Sequence, residues 1–206
     1  MVRRTKEEAQ ATRNHILDTA EMVFRERGVA RSSLQEIAAA AGLTRGAIYW
    51  HFKDKAELFN AMMERVKLPL EQDFRRVGDP QLADPLAQVR DAYLAAFALA
   101  VADPQVHRVF EIACHKVEYV DEMQAVRDRR LASLNAHLLQ VERALRQAAR
   151  RGLLAEPHIP ARSAALGLHA LVDGLITNWM LDPQSFDLVK VGRQVLDVYL
   201  GRLANK

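Results

Sequence analysis

The stretch from Ser33 to Phe52 places the tightest constraint on what this 206-residue chain can fold into. Its first half reads as a short helix with these apolar residues on one face: Leu34, Ile37, Ala38 and Ala41. Gly42 follows where the chain must turn through positive φ, which glycine tolerates at little cost. Thr44 then suits the N-cap of a second short helix that would bury Ile48. This layout is that of a DNA-binding helix-turn-helix, and an ordinary helical hairpin is the alternative on spacing alone.

The second helix of the pair carries side chains suited to DNA. Thr44 and the free N–H groups of the first turn suit a phosphate. Arg45 is long enough to reach base edges, while Gly46 and Ala47 leave room for close approach to the groove. We predict that Arg45 reads a base and that Trp50 lies on the same contacting helix. Phosphate contacts are predicted for Ser33, Thr44, Tyr49, His51 and Lys55.

The N-terminal arm and the charge balance favour the same function. The arm M-V-R-R-T-K carries Arg3, Arg4 and Lys6 and should be disordered when unbound. It can follow phosphates, enter a minor groove, or remain a solvated tail. Residues 1–67 hold 12 Lys/Arg against 9 Asp/Glu, whereas residues 68–206 hold 17 of each. The whole excess of three positive charges therefore lies beside the helix-turn-helix.

Composition indicates an all-α protein of the cytosol. Half of the residues are hydrophobic, strong helix formers dominate, and alternating β-branched runs are lacking. We expect no membrane helix, no signal peptide and, with Cys114 the single cysteine, no intrachain disulfide. About nine helices are predicted, in a helix-turn-helix domain over residues 1–54 and a larger helical domain over residues 55–206. The long fourth helix would link the two domains.

Several sequence runs resemble one bacterial family. T-R-G-A-I-Y-W-H-F-K-D-K at residues 44–55 is similar to the DNA-binding signature of TetR-family repressors over its whole length. V-R-R-T-K-E-E-A near the start, E-I-A-C-H-K-V-E-Y-V near 111–120 and N-W-M-L-D-P-Q-S-F-D-L at 178–188 resemble the multidrug-efflux repressors of the AcrR and TtgR type. The resemblance implies a ligand-responsive repressor of an efflux operon. A regulator of lipid or signal metabolism, or a DNA-binding module without an effector, remains an alternative.

The middle helices would surround an effector pocket. Methionine and aromatic side chains suit a site that accepts ligands of many shapes, although any single such residue can equally be plain core. The candidate lining comprises Met63, Val66, Lys67, Tyr93, Phe97, Phe110, Glu111, Cys114, His169, Val172 and Ile176. Lys67 stands in a region where relatives often have an acidic residue, which leaves neutral or anionic aromatic effectors open.

The last two predicted helices are apolar on more than one face, so both faces need cover. Either one large core buries them, or two copies form a four-helix interface. A dimer suits the function, because one recognition helix reads few base pairs whereas a twofold dimer reads two half-sites. The family resemblance implies the same pair of helices. The predicted interface comprises Leu168, Leu175, Trp179, Val195 and Tyr199.

Enzymatic and metal-binding functions find little support. No nucleophile elbow, P-loop or dinucleotide fingerprint occurs. A di-iron four-helix bundle needs Glu-x-x-His pairs, and no histidine has a glutamate three residues before it. Glu111, His115 and Glu118 share one helical stripe, but no second ligand cluster accompanies them. We therefore predict a non-enzyme without cofactor or metal, whose partners are operator DNA, a small hydrophobic or aromatic effector and a second copy.

Overall fold

The computed structural model describes residues 6–74, 76–81, 83–155 and 159–204, and confirms the all-α fold class. The described residues form nine α-helices, and their only β feature is an isolated antiparallel bridge between Leu154 and Ala204. The helices are α1 (Lys6–Arg27), α2 (Leu34–Ala40), α3 (Arg45–His51), α4 (Lys55–Phe74), α5 (Pro85–Ala102), α6 (Pro104–His115), α7 (Gln124–Arg150), α8 (Ala161–Leu181) and α9 (Leu188–Leu203). A 3₁₀ turn, Asp121–Met123, precedes α7.

Local chemistry sets several of the helix ends. Gly28 and Gly152, at φ of 83° and 69°, end α1 and α7. Asp84 caps α5, with its carboxylate accepting from the N–H groups of residues 86 and 87. The 3₁₀ turn before α7 buries Met123 completely. Asp187 caps α9, so that this helix begins at Leu188.

The chain divides into two compact units. The first contains residues up to 66 together with 108–130, and the second contains 67–107 together with 131 onward. Helices α4, α6 and α7 each contribute residues to both units. Residues 6–54 of the predicted helix-turn-helix domain lie wholly within the first unit, and the proposed boundary at residue 54 stays a prediction.

The first unit has its own apolar core. The side chains that α1 to α4 bury almost completely include Ile16, Leu17, Phe24, Ile37, Ile48, Phe52, Leu58 and Met62, and Ile112 and Met123 join them from the 108–130 segment. One buried carboxylate, Glu21 of α1, lies between the guanidinium groups of Arg65 and Arg108, each 3.6 Å away. This pairing meets the requirement that a buried charge be compensated.

The second unit is built around the contact between α5 and α9. Phe97 of α5 is completely buried, and its ring occupies the space beside Gly192 where a larger residue would place its Cβ. Arg90 and Asp197 join the same two helices at the surface through a 2.5 Å hydrogen bond that lowers the pKa of the carboxyl. Arg151 donates to the carbonyls of Pro80 and Ala83, which fixes the loop between α4 and α5 against the end of α7.

Candidate nucleic-acid interface and ligand-lining residues

The recognition helix α3 is anchored on one side and open on the other. Ile48 and Phe52 are buried, and the Thr44 hydroxyl accepts from the Ala47 N–H at 3.2 Å as the predicted N-cap. On the opposite side Tyr49 is 44% exposed and Trp50 is 71% exposed. Large aromatic side chains on a solvent-facing helix surface indicate a contact surface rather than a core.

Two ring contacts organise the exposed side of α3. The guanidinium carbon of Arg45 lies 5.5 Å from the centroid of the Tyr49 ring, within cation–π range. The Trp50 ring meets the His51 ring edge-on at a centroid distance of 4.5 Å. Thr44, Arg45 and Gly46 are exposed, and Ala47 and His51 are half-buried. These predicted DNA-contacting residues all lie on one short helix and its cap.

The turn that sets the direction of α3 is held by α1 and by the backbone. Gly42 has a φ of 65°, and the N–H of Leu43 donates to the Ala38 carbonyl at 2.8 Å. Nε2 of His15 in α1 lies 3.1 Å from the Ala41 carbonyl oxygen at the end of α2. Arg13 in the same helix lies 4.7 Å from the centroid of Phe52 at the end of α3. Helix α1 therefore supports the C-terminal ends of both α2 and α3.

Ser33 caps α2. Its hydroxyl accepts from the Glu36 N–H, and the Glu36 carboxylate accepts from the Ser33 N–H at 2.8 Å, forming a capping box. The Ser33 hydroxyl also donates to the Glu36 carboxylate at 2.8 Å. This bond, followed by the one from the Ser33 N–H, lowers the pKa of Glu36. Ser33 is exposed, and its side chain already serves the cap, so a phosphate contact by this residue remains a prediction.

The predicted phosphate role of Lys55 requires correction. Its ammonium group is buried and donates to the carbonyls of Ala30 at 3.2 Å and Ser32 at 2.9 Å. It also forms an ion pair with Glu122 at 2.6 Å. An ammonium has three donors, and all three are used within the protein. Of the basic N-terminal arm, Lys6 is exposed at the start of α1, whereas Arg3 and Arg4 lie outside the described residues.

An aromatic and imidazole cluster lies in the second unit, and two of its members were predicted to line the pocket. The Tyr93 hydroxyl lies 2.7 Å from Nε2 of His137, and the His169 ring is 5.7 Å from the His137 ring. Phe74 meets the His137 ring edge-on at 4.3 Å. Burial, and secondarily His169, lower the pKa of His137 to about 4, while burial raises the pKa of Tyr93. Tyr93 and His137 are therefore both neutral at neutral pH.

Phe74 and His137 were not predicted from the sequence. His137 follows Ser133 and precedes Val141 at four-residue spacing, so the inward stripe of α7 could have identified it. Phe74 gave no such signal, because it ends a helix whose preceding residues include a proline. The other predicted lining residues of this unit differ in their surroundings: Lys67 donates to Ser133, Val172 is buried and Ile176 is half-buried. Phe97 is completely buried and packs on Gly192, and its place in the lining stays a prediction.

The remaining lining candidates belong to the first unit. Val66 is buried, while Met63, Phe110 and Cys114 are half-buried. The Glu111 carboxylate pairs with Arg25 of α1 at 2.9 Å, so this carboxylate joins α6 to α1. The described residues contain no group of three or more His, Cys, Asp or Glu side chains arranged for a metal ion.

A cavity of about 250 Å³ opens in another part of the second unit. Its wall is formed by the end of α7, the start of α8 and the end of α9, and includes Leu145, Arg146, Arg150, Leu154, Ile159 and Leu203. The predicted pocket residues do not line this cavity.

Two of the five predicted interface residues are wrong. Leu168 is completely buried and Trp179 is nearly so, with its ring 5.2 Å from that of His107 inside the second unit. Leu175, Val195 and Tyr199 are half-buried, and the Tyr199 hydroxyl donates to the Ala164 carbonyl at 2.9 Å. The faces of α8 and α9 that remain open carry other large apolar residues: Leu166, Leu171, Leu181 and Val198.

Helix α8 has a feature that was not predicted from the sequence. By length and composition alone, α8 is apolar enough to cross a membrane, with a mean hydropathy of 1.2 over 18 residues. Only 33% of that window is buried. Such composition is also found in helices of soluble proteins that are covered on several faces.

An exposed recognition helix on an all-α scaffold defines a DNA-binding protein of the helix-turn-helix class. Residues 16–62 match the model of bacterial regulatory proteins of the tetR family. Residues 84–204, more than half of the chain, match the C-terminal region of MAATS-type transcriptional repressors. The chain belongs to the TetR family of transcriptional regulators.

Individual relatives extend over nearly the whole chain. The transcriptional regulator TtgR of Pseudomonas putida is 43% identical over 189 residues, covering 92% of this chain and 90% of TtgR. The structure of NalD, the secondary repressor of the MexAB-OprM multidrug efflux pump in Pseudomonas aeruginosa, matches with a TM-score of 0.89, 35% identity and coverage of 98% and 100%. SmeT, the repressor of the Stenotrophomonas maltophilia efflux pump SmeDEF, matches in its complex with triclosan with a TM-score of 0.84, 36% identity and coverage of 96% and 93%.

Proposed function

We propose that this protein is a homodimeric repressor that binds a palindromic operator of a multidrug efflux operon and leaves it when a small aromatic compound binds. The observation that carries the DNA-binding part is the open side of α3, where Arg45, Tyr49 and Trp50 face solvent while Ile48 and Phe52 anchor the helix. The cation–π contact with Tyr49 limits the freedom of Arg45 before DNA is met, which reduces the entropic cost of base readout.

The open apolar faces of α8 and α9 support the proposed dimer. Val198 is 69% exposed and Leu181 is 67% exposed, on helices whose other sides are buried in the second unit. Exposed apolar patches of this kind mark protein–protein contacts. A twofold pairing through these helices would present two α3 helices to two half-sites, with Leu175, Val195 and Tyr199 at the margin of the interface.

The effector is proposed to be a neutral aromatic compound with a hydrogen-bonding group. In the second unit, Phe74 offers a ring, while Tyr93 and His137 offer a donor and an acceptor without net charge. The lowered pKa of His137 keeps this group neutral. Position 67 is a lysine and not an acidic residue, so it does not attract a cation. Triclosan, bound by the relative SmeT, is a suitable probe. Since NalD and SmeT repress efflux pumps, we place the regulated genes in the same class and the site of action in the cytoplasm.

The experiment has two arms. Duplexes that bind the wild-type chain are enriched from a random-sequence library, and the affinity for the best duplex is compared with that for a scrambled duplex of equal length. A preference of about 10³-fold or more for a twofold-symmetric sequence is expected of a specific repressor. The same titration is then repeated at saturating triclosan, where a loss of about 5- to 150-fold is expected. No sequence preference would contradict the repressor, and unchanged affinity with bound triclosan would contradict the effector.

A further inference from the structure

We infer that Glu122, which lies in the connection between α6 and α7, is a positioning residue for the DNA-reading helices. Through Lys55 it holds the backbone of residues 28–33, here named the lead-in segment because it runs from α1 into α2. This inference rests on the proposed DNA-binding function.

Lys55 is the centre of the arrangement. It is the first residue of α4, and its ammonium group is bonded to two carbonyl oxygens of the lead-in segment, those of Ala30 and Ser32. Both carbonyls lie within four residues of Leu34, where α2 begins. A bond to each of them fixes the path by which the chain enters the helix-turn-helix.

The buried ammonium needs a counter-charge to keep this position. Its side chain is only 9% exposed, and burial of an unpaired charge is costly. Two carbonyl dipoles compensate it only in part, and the Glu122 carboxylate at 2.6 Å supplies the full opposite charge. A second carboxylate that interacts with Lys55, that of Glu36, is already engaged by the capping box with Ser33 and by an ion pair with Arg27 at 3.4 Å.

A second contact ties the lead-in segment to the same part of the chain. The N–H of Val29 donates to the carbonyl of Lys116, the residue that follows α6, at 2.9 Å. Within the segment, the Ser32 hydroxyl donates to the Gly28 carbonyl at 2.7 Å. The lead-in segment is therefore held by residues 116 and 122 of one short connection, directly at Val29 and through Lys55 at Ala30 and Ser32.

The connection to DNA recognition runs through α2. Ser33, the last residue of the segment, caps α2, which packs on α3. If Lys55 loses its counter-charge, its two carbonyl contacts weaken and the start of α2 gains freedom. Operator affinity then falls, although Glu122 itself does not lie on the exposed side of α3. A merely electrostatic role predicts the opposite sign, since removing a negative charge strengthens attraction to phosphates.

The test compares Glu122→Gln with Glu64→Gln. Glu64 pairs with Arg129 in the same unit, so its variant removes one negative charge and one ion pair without reaching the lead-in segment. The probe is the duplex enriched by the wild-type chain, beside the scrambled duplex. We expect Glu122→Gln to bind the enriched duplex about 3- to 30-fold more weakly than the wild type, while Glu64→Gln binds it equally or more tightly. Affinity of Glu122→Gln equal to or above that of Glu64→Gln would overturn the inference.

A second readout does not depend on DNA. Amide hydrogen exchange is followed for peptides covering residues 28–41 in the wild type, Glu122→Gln and Glu64→Gln. We expect exchange at least about threefold faster than in the wild type for Glu122→Gln only. If the wild type binds no duplex selectively, the proposed function fails. The exchange rates alone then test whether Glu122 positions the lead-in segment. Weaker DNA binding with unchanged exchange would mean that Glu122 does not act by positioning, which also overturns the inference.

Discussion

The hydroxyl oxygen of Tyr93 lies 2.7 Å from Nε2 of His137, and this pair forms the polar centre of the aromatic cluster in the second unit. Each partner stays neutral because burial opposes its charged form, which lowers the pKa of His137 to about 4 and raises the pKa of Tyr93. The pair can donate and accept hydrogen bonds without attracting or repelling an ion. This chemistry suits an uncharged effector.

The lowered pKa of His137 predicts acid-dependent stability. An unfolded histidine titrates near 6.5, so between about pH 6.5 and pH 4 the unfolded chain binds a proton that the folded protein excludes. The free energy of unfolding is therefore highest above pH 6.5 with respect to this group, and it falls on acidification by about 3 kcal/mol. Urea unfolding at a series of pH values measures it. His137→Leu should flatten this part of the curve, whereas Tyr93→Phe should keep it, since burial persists.

Gly192 predicts a steric requirement in the α5–α9 contact. A Cβ at this position would overlap the Phe97 ring, so Gly192→Ala should cost about 1–3 kcal/mol of stability despite the higher helix propensity of alanine. Thermal unfolding of Gly192→Ala, Phe97→Leu and the double variant forms a cycle. Because the smaller leucine vacates the overlap, the double variant should lose less stability than the sum of the two single losses. Strict additivity would mean that the two residues do not compete for space.

The elements that depend on local rules were predictable from the sequence. The capping box at Ser33 and Glu36, the glycine turn at residue 42 and the burial of Ile48 all follow from interactions within a few residues. The exposure of Trp50 was predictable in turn, because it lies about 200° around the helix from the buried Ile48.

What the sequence did not determine depends on partners far along the chain. Lys55 meets Glu122 across 67 positions, and no local pattern reveals that its ammonium group turns inward rather than toward phosphate. Trp179 and Leu168 lie on a helix that is apolar on several faces, so periodicity alone could not distinguish the side covered by its own unit from the side left open. Phe97 is a core residue because Gly192 makes room for it.

The open faces of α8 and α9 predict that one charge can prevent dimerisation. Val198→Glu places a carboxylate in the proposed interface, where its desolvation would oppose association. Sedimentation at micromolar concentration should find the wild type as a dimer and this variant as a monomer with unchanged helix content. Val101→Glu is the matched control, since Val101 is also exposed, at the end of α5, and should leave the dimer intact. A monomeric wild type would contradict the proposed pairing.

Arg45 predicts a loss that depends on the base it meets. Arg45→Ala should cost about 1–3 kcal/mol of operator affinity at one base position and leave discrimination elsewhere unchanged. Arg45→Lys separates charge from geometry, because lysine keeps the positive charge but lacks the planar fork of donors that matches a guanine edge. It should bind scrambled DNA like the wild type and still lose discrimination at that position. Tyr49→Phe keeps the ring beside Arg45 and removes the hydroxyl, so it should weaken all sequences alike. Affinities for all single-base variants of the enriched duplex measure these patterns, and a uniform loss for Arg45→Ala would assign Arg45 to phosphate instead.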